Sequence, residues 1–279
     1  MITGVFKSSL AVTFGDVLIN IHIRPEAIHP LGILLSEGEL PEIPHKTPVY
    51  FEFPELRLGN MRLKLCFDPA LVAEVSNDSV LPNEDKESHT TILHDSSNRI
   101  EKMIKSLGRY SEVGDAYLFD RETRFSNSVA GVIRLLRLGS LNLHDFIPDF
   151  GGGEGLTPAF DDFCTGLLLT DVLIASTDHA YATESLTGST PSASRLVQTN
   201  DGFFTALHTR TTLPAYWQLR FASSGTSSLL IERFMKKLLY SRIAASDILR
   251  LISIGHTSGT DILCGIHARL NAFSRINAV

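Results

Sequence analysis

Cysteine is nearly absent from this chain. Its 279 residues hold three, Cys66, Cys164 and Cys264, odd in number and far apart. That excludes a disulfide framework and any C-x-x-C zinc or redox site. It fits a reducing compartment, so a cytoplasmic location is expected. Basic charge is also in deficit, with 25 Lys and Arg against 31 Asp and Glu, −6 net. Nucleic-acid binders show a concentrated basic face, and the one basic pair in a helical run, Lys236-Lys237, reads as a solvated helix face. No nucleic-acid partner is expected. Long hydrophobic runs are missing as well. The most apolar stretch, 166–175, is short and broken by Asp171, so no membrane span is expected. The opening residues, MITGVFKSSLAV, lack the apolar core and cleavage site of a secretion signal. Familiar catalytic signatures are absent too. GHTSG places its serine one position late for a nucleophile elbow, and no H-E-x-x-H or Cys/His metal spacing occurs. Asp161 and Asp162 with His256 make a poor metal set, because adjacent helical residues point about 100° apart. Neither a metal nor a cofactor is expected.

What remains is an ordinary globular composition, 43% hydrophobic and 20% charged, long enough for one large domain or two unequal ones. The first part reads as strands. SLAVTF and DVLINIHI are rich in β-branched residues, and Gly15-Asp16 between them suits a hairpin turn. GILLSE, PVYFEF and MRLKLCF follow, so residues 1–80 are expected to form a small β-sheet or partly open barrel. Residues 75–100 are polar and acidic and read as a linker or exposed loop. Beyond them helical spacing dominates, in NRIEKMIKSL, SNSVAGVIRLLRL, 158–173, LPAYWQLRFA, SLLIERFMKKLLY, ASDILRLI and GTDILCGIHARLNAF. In 158–173, Phe160, Phe163, Cys164, Leu167, Leu168 and Val172 form one stripe. Residues 176–200, rich in Ser and Thr, are expected to loop over the surface. The fold class is α+β, with a larger, mostly helical domain over 100–279.

One stretch stands out: GGGEGLTPAFDDFCTGLLL, residues 151–169. Thr157-Pro158 is a strong helix start, with threonine able to cap free N–H groups and proline preset for the first turn. Asp161 and Asp162 end that first turn, where the helix dipole favours negative charge. A well-capped helix accounts for this much. The glycines add something. Gly151, Gly152, Gly153 and Gly155 cost backbone entropy, tolerated where the chain takes positive φ or approaches a neighbour closely. A glycine turn before a helix N-terminus aims N–H groups at one spot, which suits an anion.

A second segment echoes the first. GHTSGTDILCG, 255–265, matches 155–166 at Gly155/Gly255, Thr157/Thr257, Asp161/Asp261 and Cys164/Cys264. If the echo is structural, two helix starts flank one pocket. Their dipoles would hold a carboxylate or phosphate, and Asp161, Asp162 and Asp261 would accept from amide or ureido donors. HTRTTLP, 208–214, adds Arg210, a candidate carboxylate clamp, and Thr211 ahead of a helix; an exposed cap with a surface arginine explains it better. Ser126, Asn127 and Ser128 read as an ordinary cap. Cys164 and Cys264 lie on apolar helix faces and read as packed small hydrophobes.

At GGGEGLTPAFDDFCTGLLL the chain resembles a bacterial family whose hallmark is a glycine-rich turn followed by Gly-Leu-Thr-Pro-Ser-Gly-Asp-Asp-Phe and a small-residue helix. That family includes the AllH-like subunit of oxamate carbamoyltransferase, from anaerobic allantoin and purine nitrogen breakdown. TRTTLP, IGHTSGTDILCGI and HPLGILL look similar too. Gly155, Thr157, Pro158, Asp161, Asp162 and Gly166 carry over, whereas Ala159-Phe160 replaces the family's Ser-Gly and could narrow the pocket. The resemblance implies a subunit of a carbamoyltransferase complex, acting on oxamate or oxalurate with carbamoyl phosphate. It implies other subunits as partners, a small anionic substrate, and room for homo-oligomers. On that implication Asp161 and Asp162 are the candidate catalytic residues. Gly153, Gly155, Thr157, Arg210, Thr211, Gly255, His256, Thr257, Ser258 and Asp261 are the candidate substrate contacts. A non-catalytic scaffold or ligand-sensing subunit, or a stand-alone hydrolase of a ureido compound, are the alternatives.

Overall fold

The computed structural model describes residues 1–5, 9–22, 32–35, 43–44, 46–52, 55–64, 86–153, 155–184, 195–240 and 243–276. The chain divides into two units, Met1–Val80 with Ser228–Leu230, and Leu81–Ser227 with Ile231–Val279. Among the described residues the first unit holds two small sheets and no closed barrel. The larger unit is mostly helical, so the architecture is α+β.

In the first unit, strands β1 (Ile2–Val5), β2 (Ser9–Phe14), β3 (Val17–His22) and β4 (Gly32–Leu34) form one sheet in that order. Phe14 pairs with Val17 across the Gly15-Asp16 turn, with Gly15 at φ 57°, as the turn residues predict. β5 (Val49–Glu52), β6 (Glu55–Leu58) and β7 (Met61–Lys64) form an antiparallel meander. Leu10, Val12 and Ile21 of one sheet, with Leu56 and Leu58 of the other, share a core with Ile2. The sequence reading misses β1 and β6. ITGV is short and interrupted by glycine, and ELRL offers only two apolar residues.

The helices are α1 (Lys86–Leu107), α2 (Glu112–Phe119), α3 (Ser126–Arg137), α4 (Ala159–Glu184), α5 (Asp201–His208), α6 (Leu213–Ala222), α7 (Leu229–Tyr240), α8 (Ala245–Ile252) and α9 (Ser258–Ile276). A 3-10 helix spans Leu143–Asp149, and a two-residue parallel ladder joins Leu141–Asn142 to Val197–Gln198. Parts of two expected loops are helical instead, and residues 185–194 of the second lie outside the described residues. α1 begins at Lys86, inside the stretch read as a linker. Its buried face carries Ser96 and Ser97 between Leu93 and Ile100, and the serines break the apolar pattern. The remainder of that stretch lies outside the described residues. α4 continues through Ser176 and Thr177 to Glu184. Those hydroxyls donate back to the carbonyls of Leu173 and Ile174, both at 2.7 Å, so they sit within the helix rather than end it.

α4 and α9 form the centre. Residues 160–171 and 259–270 are buried on every side, so the stripe expected over 158–173 is a fully enclosed helix. Glycine lets the two backbones touch. A Cβ on Gly166 would stand 2.0 Å from the Ile262 carbonyl oxygen, and one on Gly265 would stand 1.9 Å from that of Phe163. The helices run parallel, since Thr157 meets Ser258 and, further along, Asp171 meets Arg269. That last pair is buried, with 2.8 Å between Arg269 Nε and Asp171 Oδ1, and Asp171 also accepts from the Leu196 and Val197 amides. Phe160 points into the packed interior. Its ring stacks on Phe125 at 5.8 Å and meets Phe150 edge-on at 5.2 Å in an aromatic core.

Candidate functional site

Parallel packing brings two helix N-termini to the same end of the bundle. The first i to i−4 bond of α4 runs from the Asp162 amide to the Pro158 carbonyl, and that of α9 from Asp261 to Thr257. Asp162 and Asp261 therefore occupy the same helical position, as do Gly166 and Gly265. The echo in the sequence holds with a register one residue away from the Asp161/Asp261 pairing. Thr157 reaches across to the second helix start. Its hydroxyl meets the Ser258 hydroxyl at 3.0 Å, bridging the two helix starts.

Three carboxyls lie beneath that bridge, all enclosed: Asp161 and Asp261 at 0% exposure and Asp162 at 1%. Their surroundings differ. Asp161 has both oxygens engaged, Oδ2 by the Gly151 amide at 2.9 Å and Oδ1 by the Thr211 hydroxyl. It pins the glycine turn to the TRTT segment. Gly151 is needed there, at φ 73°, because a Cβ would lie 2.1 Å from the Arg210 carbonyl oxygen. Asp162 accepts from Gln218 Nε2 at 2.7 Å on Oδ1, while Oδ2 has no hydrogen-bond partner. Asp261 accepts from the Ser111 hydroxyl at 2.6 Å on Oδ1, and its Oδ2 is again unpartnered.

Burial pushes all three acids upward, because a low-dielectric interior penalises the charged form. Asp161 rises to about 6, held back by its donors Thr211 and Gly151. Asp162 rises to about 7. Ser258, Gln218 and Thr157 favour its ionised form, yet neither hydroxyl closes a well-formed bond on Oδ2. Asp261 stands well above the usual carboxylate range, with the Asp162 charge adding to desolvation. Both cysteine thiols, Cys164 and Cys264, are buried, free and pushed well up, which leaves them packed and unreactive.

The remaining candidates sort by position. Gly153 at φ 130° and Gly155 at φ 97° form the exposed turn over the carboxyls. Gly255 at φ 58° and His256 are exposed on the neighbouring rim, with Thr257 half-buried beside them. Arg210 turns away, donating from Nη2 to the Pro148 carbonyl at 2.7 Å. Three residues were not singled out by the sequence reading. Ser111 caps α2, accepting from the Val113 and Gly114 amides while it donates to Asp261, which brings a third helix start to the site. Gln218 sits on α6. Arg124 lies 3.6 Å from where a Gly153 Cβ would stand, paired with Glu112 at 2.7 Å. A lone amide within LPAYWQLRFA and a serine ahead of Glu112 are signals that fit Gln218 and Ser111; Arg124 has none. Among the described residues, no group of three or more His, Cys, Asp or Glu side chains is arranged to hold a metal. Among the described residues, no helix is long and apolar enough to cross a membrane.

Comparison with known proteins gives one match. Searches of curated proteins and of solved structures return none. Residues 150–270 match the family model described as "Oxamate carbamoyltransferase subunit AllH". The matched span holds the glycine turn, all three buried acids, Gln218 and both central helix starts. Over residues 150–270, the chain is similar to the AllH family.

Proposed function

We propose that this protein is a subunit of a carbamoyltransferase complex that acts on oxamate or oxalurate with carbamoyl phosphate in allantoin, and so purine nitrogen, breakdown. The description of the matching family supports the subunit role. The observation that carries the site is the pair of unpartnered, fully buried oxygens, Asp162 Oδ2 and Asp261 Oδ2, where the starts of α4 and α9 converge. An enclosed acceptor without a donor costs about 1–3 kcal/mol. A ligand carrying polar groups of its own relieves that cost at this place.

In this reading the helix starts at Thr157 and Ser258 hold the phosphate or the oxamate carboxylate by dipole and hydroxyl. Asp162, poised near neutrality at about 7, orients the carbamoyl nitrogen. As the oxamate nitrogen bonds to the carbamoyl carbon, the carbon–oxygen bond to phosphate breaks and phosphate leaves. The proton lost by the attacking nitrogen passes to Asp162. Fixed amides of the glycine turn stabilise charge on the carbamoyl oxygen. Asp161, with both oxygens engaged, holds the turn and Thr211 in place.

The test is Asp162→Asn in the assembled complex. Loss of transfer by about a hundredfold or more is expected for a lost proton acceptor, and activity within about twofold of wild type removes the role. The enclosure of Asp161 favours a second reading, a scaffold in which the motif braces an interface. Calorimetric titration of carbamoyl phosphate, oxamate and oxalurate into the lone chain and into the complex separates the two. Silence in both supports the scaffold.

A further inference from the structure

A pocket of about 750 Å³ lies away from the three acids, lined from α1, α2, α3 and α9. That volume suits a small organic ligand. Three arginines face it, Arg134 and Arg137 from α3 and Arg275 from α9. Among the described residues none of the three is ion-paired with a carboxylate. Arg275 is tethered by Nε to Asn271 Oδ1 at 3.2 Å, which leaves its terminal nitrogens available as a fork. Arg137 and Arg275 both reach the Tyr117 phenol electrostatically, so their charges act on the same region.

The floor of the pocket is polar but neutral. Tyr117 Oη and His267 Nδ1 are 2.6 Å apart. Burial lowers His267 to about 4, so the ring is uncharged at neutral pH and accepts from the phenol. Glu101, the nearest acid at 3.8 Å from His267 Nε2, is already paired with Lys105 at 2.7 Å. The one other lining carboxylate, Asp120, is exposed where α2 ends. Apolar side chains, Val129, Ile133 and Leu138 among them, supply the rest of the wall. Leu138, 70% exposed, stands at the rim.

We infer that this pocket is a second binding site, for a small phosphate ester with a flat or apolar body. Its phosphate lies between Arg137 and Arg275, with Arg134 at the mouth, and its body rests on Tyr117 and the apolar wall. Three positive side chains lining one pocket favour a dianion, which accepts paired N–H donors. The site is independent of the reading given for Asp162.

Calorimetric titration of the full chain tests this with adenosine 5′-monophosphate, pyrophosphate and uncharged adenosine as probes. The expected result is saturable one-to-one binding of the monophosphate, weaker binding of pyrophosphate and at least tenfold weaker binding of adenosine, roughly the loss of one charged contact. Arg137→Ala with Arg275→Ala weakens the monophosphate about tenfold or more, while Arg250→Ala and Asp162→Asn leave it unchanged. All three arginines are exposed, so these variants fold. The inference is overturned if no probe binds up to about 10 mM. It is equally overturned if adenosine binds as well as its monophosphate, or if Asp162→Asn weakens binding while the arginine pair does not.

Discussion

Replacing Asp162 with asparagine sets stability against function, and the size of the effect follows from the burial of that carboxyl. Burial lifts the group from 3.8 to about 7. Each pH unit in that gap is about 1.4 kcal/mol of preference for the neutral form, so ionising the folded protein fully costs roughly 4 kcal/mol. The folded pKa exceeds the unfolded one, so the native state holds the extra proton. The associated stabilisation is complete below 3.8 and is lost as pH rises through about 7. Asparagine keeps an oxygen for Gln218, offers an amide toward Thr157 and Ser258, and never ionises. Relative to wild type the variant gains roughly 2–3 kcal/mol between about pH 5 and about pH 8. In a chain of this size that corresponds to roughly 5–10 °C in melting temperature. Denaturant titrations at the two pH values measure it directly, alongside an assay of the proposed carbamoyl transfer. A stability gap that does not change with pH refutes the electrostatic reasoning, whatever happens to activity.

Gly166→Ala and Gly265→Ala each force a Cβ to about 2 Å from a backbone oxygen. Each should destabilise by about 3 kcal/mol or more, read by denaturant midpoint; a cost under about 1 kcal/mol contradicts direct contact of α4 and α9. Asp171→Asn leaves buried Arg269 without its counter-charge, and a loss of about 3–5 kcal/mol is expected by the same measurement. His267 has its folded pKa depressed to about 4 from 6.5, so its contribution is present above 6.5 and is lost as pH falls through about 4. His267→Gln, which keeps an acceptor for Tyr117, should remove roughly 3 kcal/mol of acid sensitivity over that window. Thr211→Val removes a donor from Asp161, which should shift that acid above about 6, visible in carboxyl chemical shifts followed against pH.

The helical half was readable in detail because its signals are local. LPAYWQLRFA and ASDILRLI match α6 and α8 residue for residue, each being a periodic run between clear stops. The Thr-Pro and Asp-Asp placement gave the location of the α4 start for the same reason. Polar residues misled where their partners are tertiary or their hydroxyls are satisfied within the helix. Ser96 and Ser97 face the core of the helical unit, and Ser176 and Thr177 bond back within α4, so composition suggested loops where helices run. The site was half legible. Convergence of 155–166 and 255–265 followed from their similarity. The register did not, because Thr157 and Ser258 pair with each other across the helices. Ser111, Gln218 and Arg124 reach the acids or the glycine turn only through the fold, over separations that local patterns do not encode.

The glycine seam between α4 and α9 joins residues about a hundred positions apart in the chain. During synthesis, the acids of α4 therefore wait beside a missing neighbour until 258–276 leave the ribosome. No earlier fragment contains both helix starts. A nascent chain halted after α8 would present an apolar trough with charges at its head, a natural substrate for chaperones, and the protein becomes competent in one late docking step rather than by gradual assembly.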